Sequence, residues 1–246
     1  MRIALAAQPV IDRDVPHNLQ VILDTVCNLQ GQADLIVFGE AVLQGFDAFS
    51  WQYEQDQAMA VTIDGPIIYR LRAAAAQAEV ALSFGYLEKS GDRLYSSQLF
   101  IGRNGTIVQN YHRVSPGWKE PCADWHYVQG QSFLPFSYLG KCLVMGLCGD
   151  LWTPGRPEEL QALAPDILLW PVWCDYDPED WNAGIKLEYA RQAALCGRNV
   201  LLVNPVCKTP SPEGTPLAAG GAAWFRDGVI VKELPAGEAG VLLLEL

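Results

Sequence analysis

A chain of 246 residues, half of them hydrophobic and only 18% charged, carries enough apolar material to bury a substantial core, which excludes a disordered or low-complexity protein. Its formal net charge of −11, with no run of Lys or Arg, argues against nucleic acid and anionic membrane as partners, because phosphate binding needs a basic stripe. Seven irregularly spaced cysteines and three histidines (His17, His112, His126) form neither a disulfide framework nor a zinc pattern, so neither a metal nor any other cofactor is expected, and a reduced cytoplasmic setting is.

The apolar part of MRIALAAQPVIDRD is too short for a secretory signal, and no apolar stretch reaches the ~18 residues of a membrane span. Arg2 to Ala7 reads as a short buried strand. Leu19, Ile22, Leu23, Val26 and Leu29 then recur at helical spacing. DLIVFGE is an apolar strand ending in Glu40, Pro66 to Gln77 a helix with proline at its start, and Val80 to Tyr86 a strand. Leu94 to Ile101 and Thr106 to His112 flank Asn104-Gly105, a strong hairpin signal. Ser115 to Ser137, rich in Pro, Gly and aromatics, reads as irregular. KCLVMGL is a strand, Pro157 to Ala164 a short helix, DILLWPV a strand, Trp181 to Cys196 a long helix and NVLLVN a strand. AAWFRDGVIVKEL forms a second hairpin turning at Asp227-Gly228, and GVLLLEL is the last strand.

The order repeats, though the residues do not. Strands without polar alternation must be covered on both faces, so two such halves packed face to face give a four-layer α-β-β-α sandwich; a doubly wound single sheet is the alternative. No interior linker divides the chain, and residues 1–246 read as one domain.

Three polar residues follow the C-terminal ends of predicted strands: Glu40, Arg113 and Cys148. In α/β sheets that edge is where loops converge on ligands. The other six cysteines read as small buried hydrophobes. Cys148, in MGLCGDLWTPG, sits between Gly146 and Gly149, which allow a sharp strand-to-helix bend that lifts a nucleophile clear of the sheet. A following helix would aim free N–H groups at the sulfur and favour thiolate. Glu40, with no cation near it in sequence, must be hydrogen-bonded, partly solvated or protonated; beside a thiol, a raised pKa would make it a general base.

With these blocks in order, the chain resembles the carbon–nitrogen hydrolase (nitrilase) superfamily, amidase-like branch, over essentially its whole length. RIALAAQPV and HNLQ, GQADLIVFGEAVLQGF, GYLEKSGDRLYSSQLFIGRNGTIVQNYHR, LVMGLCGDLWTPG and EYARQAALCGRNVLLVNPV carry the resemblance. It implies the α-β-β-α sandwich, a Cys-Glu-Lys site formed by Cys148 and Glu40, and a second glutamate corresponding to Glu120 in SPGWKEP. It also implies a homodimer.

The lysine position departs from the family, which usually has Tyr-Arg-Lys where this chain has Tyr111-His112-Arg113. A guanidinium can hold an oxyanion but cannot move protons, since its pKa lies above ~12. Lys119 is an alternative source of the site cation. The expected chemistry is hydrolysis of a small amide, ω-amide or carbamoyl compound. Glu40 deprotonates Cys148, Arg113 and the Gly149 N–H hold the oxyanion, and Glu120 orients the cation and Glu40. Among the aromatic residues near the loops, Phe46 and Trp173 are the candidate pocket walls. The rival readings are a non-catalytic relative that binds an amide-like metabolite or serves as an assembly partner, and a redox-sensing protein with Cys142 or Cys174 near Cys148.

Overall fold

The computed structural model describes residues 1–211 and 217–246. The first half runs β1 (Arg2–Ala7), β2 (Pro9–Val10), a helix (Val15–Asn28), β3 (Leu35–Phe38), a helix (Pro66–Ala78), β4 (Ala81–Ser90), β5 (Arg93–Ile101) and β6 (Ile107–His112). The second half runs β7 (Phe136–Tyr138), β8 (Lys141–Met145), a helix (Arg156–Leu163) and β9 (Ile167–Pro171). A helical stretch from Pro178, π-wound over Trp181–Ile185, then leads into the helix Lys186–Cys196. β10 (Asn199–Val203), β11 (Val206–Cys207), β12 (Ala222–Arg226), β13 (Val229–Leu234) and β14 (Gly240–Glu245) complete the chain.

The continuous apolar runs are explained by what lies on each side of a strand. In β1, Ile3, Leu5 and Ala7 share a core cluster with Leu143, Leu169 and Val203 of the other half. Ala4 and Ala6 instead pack with Leu19, Ile22, Leu71 and Ala75 of the two helices. Alternate side chains thus meet opposite layers, and both are apolar. Two six-stranded sheets result, ordered β14-β1-β3-β4-β5-β6 and β13-β12-β10-β9-β8-β7. Each has a parallel centre, β1-β3-β4 and β8-β9-β10, flanked by antiparallel strands. The molecule is the four-layer sandwich and not the single doubly wound sheet. β14 crosses back to pair with β1, and the short parallel pair β2–β11 ties the halves together.

Local chemistry sets the element ends. The Asp14 side chain accepts from the His17 N–H at 3.1 Å, and proline occupies the first turn of the helix it caps. At Asn104-Gly105, the Gly102 N–H donates to the Thr106 carbonyl at 2.8 Å and Gly105 takes a φ of +78°. β4 runs on to Ser90, past the predicted stop at Tyr86. The polar Glu88 is tolerated there because Ser97 Oγ (2.7 Å) and Asn110 Nδ2 (2.8 Å) donate to its carboxylate, and His112 Nε2 lies 2.9 Å away. β7, inside the stretch expected to be irregular, is a three-residue edge strand, too short to leave a sequence pattern. Among the described residues, no helix is long and apolar enough to cross a membrane.

Three strand ends position the site. β3 stops at Phe38, β6 at His112 and β8 at Met145, so Glu40, Arg113 and Cys148 all lie on the residues that follow.

Candidate active site

Glu40 is held by its backbone. Its N–H donates to the Val172 carbonyl at 3.3 Å, and the next residue, Ala41, turns with φ +49°. The loop lies directly on β4 at Gly85, where a Cβ would come within 2.3 Å of Ala41 N and 2.7 Å of Glu40 Cα. Only glycine permits that approach. The Glu40 side chain is fully buried. Its Oε1 accepts from Arg113 Nη1 at 2.8 Å and Ser96 Oγ at 3.0 Å, whereas Oε2 has no hydrogen-bond partner among the described residues.

Arg113 continues β6 and is 6% exposed, too little for water to compensate its charge. Glu40 takes Nη1, and Nε donates to Ser115 Oγ at 2.8 Å. Nη2 makes no hydrogen bond among the described residues and lies against Gly149, where a Cβ would stand only 2.8 Å from it. The Phe46 ring packs 5.8 Å from Arg113 Cζ, within cation–π range. Lys119 turns elsewhere, donating from Nζ to the Tyr127 carbonyl at 2.7 Å. The cation beside Glu40 is therefore Arg113.

Cys148 opens a 3-10 turn, Cys148–Trp152, and takes φ +40°, a conformation a side chain adopts only under strain. The strain falls on the cysteine and not on its neighbours: Gly146 and Gly149 serve by leaving room for Leu151, Phe133 and Arg113. Asp150, fully buried, locks the turn. Its Oδ2 accepts from the Leu147 N–H (2.8 Å) and Tyr111 Oη (2.6 Å), and its Oδ1 from the N–H groups of Val114 (3.0 Å) and Ser115 (2.7 Å). One carboxylate thus ties the cysteine turn to the segment carrying Arg113. Trp170 Nε1 adds a bond to the Cys148 carbonyl at 2.9 Å. The half-buried sulfur lies 3.7 Å from the Trp173 carbonyl, and the Trp173 ring is fixed by Asp47, which accepts from Nε1 at 2.7 Å.

These contacts set the protonation of the pair. Burial pushes Glu40 up to about 8, with the nearby Cys148 adding to the rise and Arg113 and Ser96 opposing it. A hydrogen bond with Cys174, together with the Arg113 charge and against the cost of burial, brings Cys148 down to about 6. The two directions oppose each other: burial holds the proton on Glu40 and the Arg113 charge draws it off Cys148. A thiol and a carboxyl group thus lie beside the Nη2 of a buried cation, which has no hydrogen-bond partner among the described residues.

The family model for carbon-nitrogen hydrolases matches residues 2–246. The chain belongs to the carbon-nitrogen hydrolase family. Among curated members it is 35% identical over 207 residues to a hydrolase of the pqqF 5' region of Pseudomonas protegens, covering 80% of this chain and 70% of that protein. It is 32% identical over 187 residues to an aliphatic nitrilase of Rhodococcus rhodochrous, covering 70% and 48%. An (R)-stereoselective amidase of Pseudomonas sp. is 25% identical over 169 residues, covering 69% and 59%. Of the nitrilases and amidases it matches, the chain spans about half the length: 48% and 59% of the two just described and 43% of an arylacetonitrilase from Hypocrea virens. In fold it is similar to the solved amidase from Nesterenkonia sp., with a TM-score of 0.74 at 24% identity over all of this chain and 90% of that one.

Of the family positions expected in this carbon-nitrogen hydrolase, Glu40, Arg113 and Cys148 come together and Glu120 does not. Trp118 is buried against Trp51 and Tyr127, and Lys119 reaches the Tyr127 carbonyl. That anchoring turns the following residue outward: Glu120 is exposed and its side chain makes no hydrogen bond or ion pair among the described residues. The orienting contacts expected from Glu120 come instead from Ser96 on Glu40 and Ser115 on Arg113. Neither serine announces itself in sequence. Asp150 gave a readable signal, a carboxylate two residues after the cysteine, but reads equally as a helix-start residue. Of the two cysteines considered as neighbours of Cys148, Cys174 is one and Cys142, on β8, is not.

Proposed function

We propose that the protein hydrolyses a non-peptide carbon–nitrogen bond of a small amide, ω-amide or carbamoyl compound through a thioester on Cys148. The observation that carries this is the meeting of Glu40, Arg113 and the Cys148 turn, with Arg113 Nη1 2.8 Å from Glu40 and its Nη2 against Gly149. An oxygen placed between Nη2 and the Gly149 N–H would sit where negative charge develops as the thiolate attacks a carbonyl carbon.

The sequence of steps uses one proton twice. The Cys148 thiolate adds to the carbonyl, and the oxyanion rests on Arg113 and the Gly149 N–H. Glu40 gives its proton to the leaving nitrogen, the C–N bond breaks and the amine departs, leaving a thioester. Glu40, now a carboxylate, takes a proton from water as that water attacks. The C–S bond breaks, the acid leaves, and Cys148 returns as thiolate beside a protonated Glu40. Arg113 never transfers a proton, which suits a group whose charge is permanent. A lysine at this position is therefore not required for the chemistry.

The Phe46 ring 5.8 Å from Arg113 Cζ and the Trp173 carbonyl 3.7 Å from the Cys148 sulfur support these two residues as walls of the substrate site. A crystallised mutant of the Nesterenkonia amidase holds butyramide, which supports small aliphatic amides as the first substrates to try. Seven free cysteines suit a reducing, cytoplasmic setting. Trp152 (43% exposed), Leu187 (46%) and Leu195 (56%) present apolar surface on and beside the helix Lys186–Cys196, which supports a homodimer formed there.

Ammonia release from a panel of small amides tests the reading. Turnover is expected in the wild type and none in Cys148→Ala; equal release by both rejects it. The pH profile of kcat/KM adds the sign. Below about 6 the thiolate is protonated, and above about 8 Glu40 has lost the proton the leaving nitrogen needs. Activity should rise through the first value and fall through the second. A single rising limb would show that Glu40 does not act as the acid.

A further inference from the structure

We propose that Trp170 is a positioning residue for the oxyanion site: its indole N–H holds the Cys148 carbonyl and so aims the Gly149 N–H at the other end of the same peptide. The inference rests on the reading of the site given above and deepens it with a residue that takes no part in any step. Trp170 Nε1 donates to the Cys148 carbonyl oxygen at 2.9 Å. A peptide unit is planar and trans, so its C=O and N–H point in opposite directions and turn together. Fixing the oxygen of the Cys148–Gly149 peptide therefore fixes the direction of the Gly149 hydrogen. Gly149 is the second residue of the 3-10 turn Cys148–Trp152, so its N–H has no partner inside the turn. It lies on the Arg113 side, since a Cβ on Gly149 would stand 2.8 Å from Nη2.

The hold is needed because the turn is strained. Cys148 has φ +40°, so nothing in the cysteine's own preferences keeps the following peptide in place. Other bonds bracket that peptide: Asp150 accepts from the Leu147 N–H before it, and Thr153 Oγ1 donates to the Gly149 carbonyl after it at 2.9 Å. Trp170 is the one side chain, among the described residues, that donates to its oxygen. The anchor itself is rigid. Trp170 lies on β9, paired with Leu202 of the neighbouring β10, and is fully buried. Tyr189 stacks on it with ring centroids 5.1 Å apart, Trp152 packs at 6.2 Å, and Trp181 closes on Tyr189 at 4.8 Å. A phenylalanine would serve that packing; the indole nitrogen is the part that packing does not require.

Trp170→Phe keeps a ring in the stack and removes the donor. An oxyanion donor acts on the transition state, so kcat for amide hydrolysis should fall about tenfold with KM within about twofold of wild type. Two probes of Cys148 that need no turnover separate aiming from packing. Butyraldehyde adds reversibly: the C–S bond forms, the carbonyl π pair moves onto oxygen, and the proton leaving sulfur is kept by Glu40. With no leaving group the adduct can only revert. Its affinity, read as protection of Cys148 from iodoacetamide by peptide-resolved mass spectrometry, should also fall about tenfold in Trp170→Phe. Iodoacetamide displaces iodide at a saturated carbon and forms no oxyanion, so its own rate with Cys148 should stay within about twofold. Trp170→His, whose Nε2 takes the ring position of the indole nitrogen, should recover part of both losses. An aldehyde affinity unchanged in Trp170→Phe, an alkylation rate that falls as far as that affinity, or no recovery in Trp170→His overturns the proposal. Amide turnover by the wild type is scored in parallel. Turnover with aldehyde affinity unchanged in Trp170→Phe rejects the aiming role and spares the hydrolase reading; no turnover of any amide, with aldehyde affinity still lost in Trp170→Phe, does the reverse.

Discussion

Arg113→Gln is expected to lower kcat/KM for amide hydrolysis by about a thousandfold, the loss that follows removal of one oxyanion donor from a water-poor site. Two effects add. The glutamine amide lacks the charge that meets the developing oxyanion, and Glu40 loses the partner 2.8 Å from Oε1 that offsets its burial. Without that partner Glu40 is driven further toward its neutral form, so the acid limb of catalysis survives while the return of the proton from water is impaired. The loss should therefore appear mainly in kcat, with both limbs of the pH profile moved to higher pH, because the Arg113 charge also holds Cys148 down. Arg113→Lys separates charge from geometry. An ammonium supplies one point charge where the guanidinium reaches Glu40, Ser115 and the space beside Gly149 at once, so partial recovery is expected. Steady-state kinetics on the best amide decides: a variant Arg113→Gln as fast as wild type would remove Arg113 from the mechanism.

Asp150→Ala should cost about 4 kcal/mol of folding stability and most of the activity. The carboxylate accepts from three backbone N–H groups and one phenol, all buried, and each donor left unpaired costs about 1 kcal/mol or more. Two of those N–H groups belong to the residues directly after Arg113 and one to the residue before Cys148, so the lost bonds also unhinge the cysteine turn from the cation. Asp150→Asn keeps the shape and one acceptor oxygen but turns a donor toward the Leu147 N–H or the Tyr111 hydroxyl, and should fall between wild type and alanine. Urea denaturation gives the stability and single-turnover kinetics the rate. Full stability in Asp150→Ala would mean that the network contributes nothing, which four short bonds to a buried carboxylate do not allow.

What could be read from the sequence was whatever depends on order along the chain. Glu40, Arg113 and Cys148 follow strand ends, and strand ends on one sheet edge converge, so their meeting needed only the strands to be placed correctly. The apolar runs called for cover on both sheet faces, which left the sandwich and the single doubly wound sheet open, and the family resemblance implied the sandwich. What could not be read depends on long-range packing. Glu120 lies next to Lys119 in sequence, but its direction is decided by Trp118 meeting Trp51 and Tyr127, residues far off along the chain. Ser96 and Ser115 are small hydroxyl residues with no pattern of their own; they matter because β5 and the end of β6 lie beside Glu40. Cys174 and Tyr189 are separated by a helix start whose π-wound turn sets their register, and no helical periodicity reveals that. β7 escaped because three edge residues carry no pattern. The flanking glycines of Cys148 were visible, but their task was misjudged: they make room, and the cysteine itself takes the strained dihedral.

The covalent step is the most exposed part of the mechanism, and acyl transfer to hydroxylamine measures it. With a small aliphatic amide and hydroxylamine present, a thioester on Cys148 would be intercepted to give the hydroxamate. Hydroxamate should form in the wild type and be absent in Cys148→Ala. Ammonia released at the wild-type rate by Cys148→Ala, or released by the wild type with no hydroxamate at any hydroxylamine concentration, would contradict a sulfur-bound acyl intermediate.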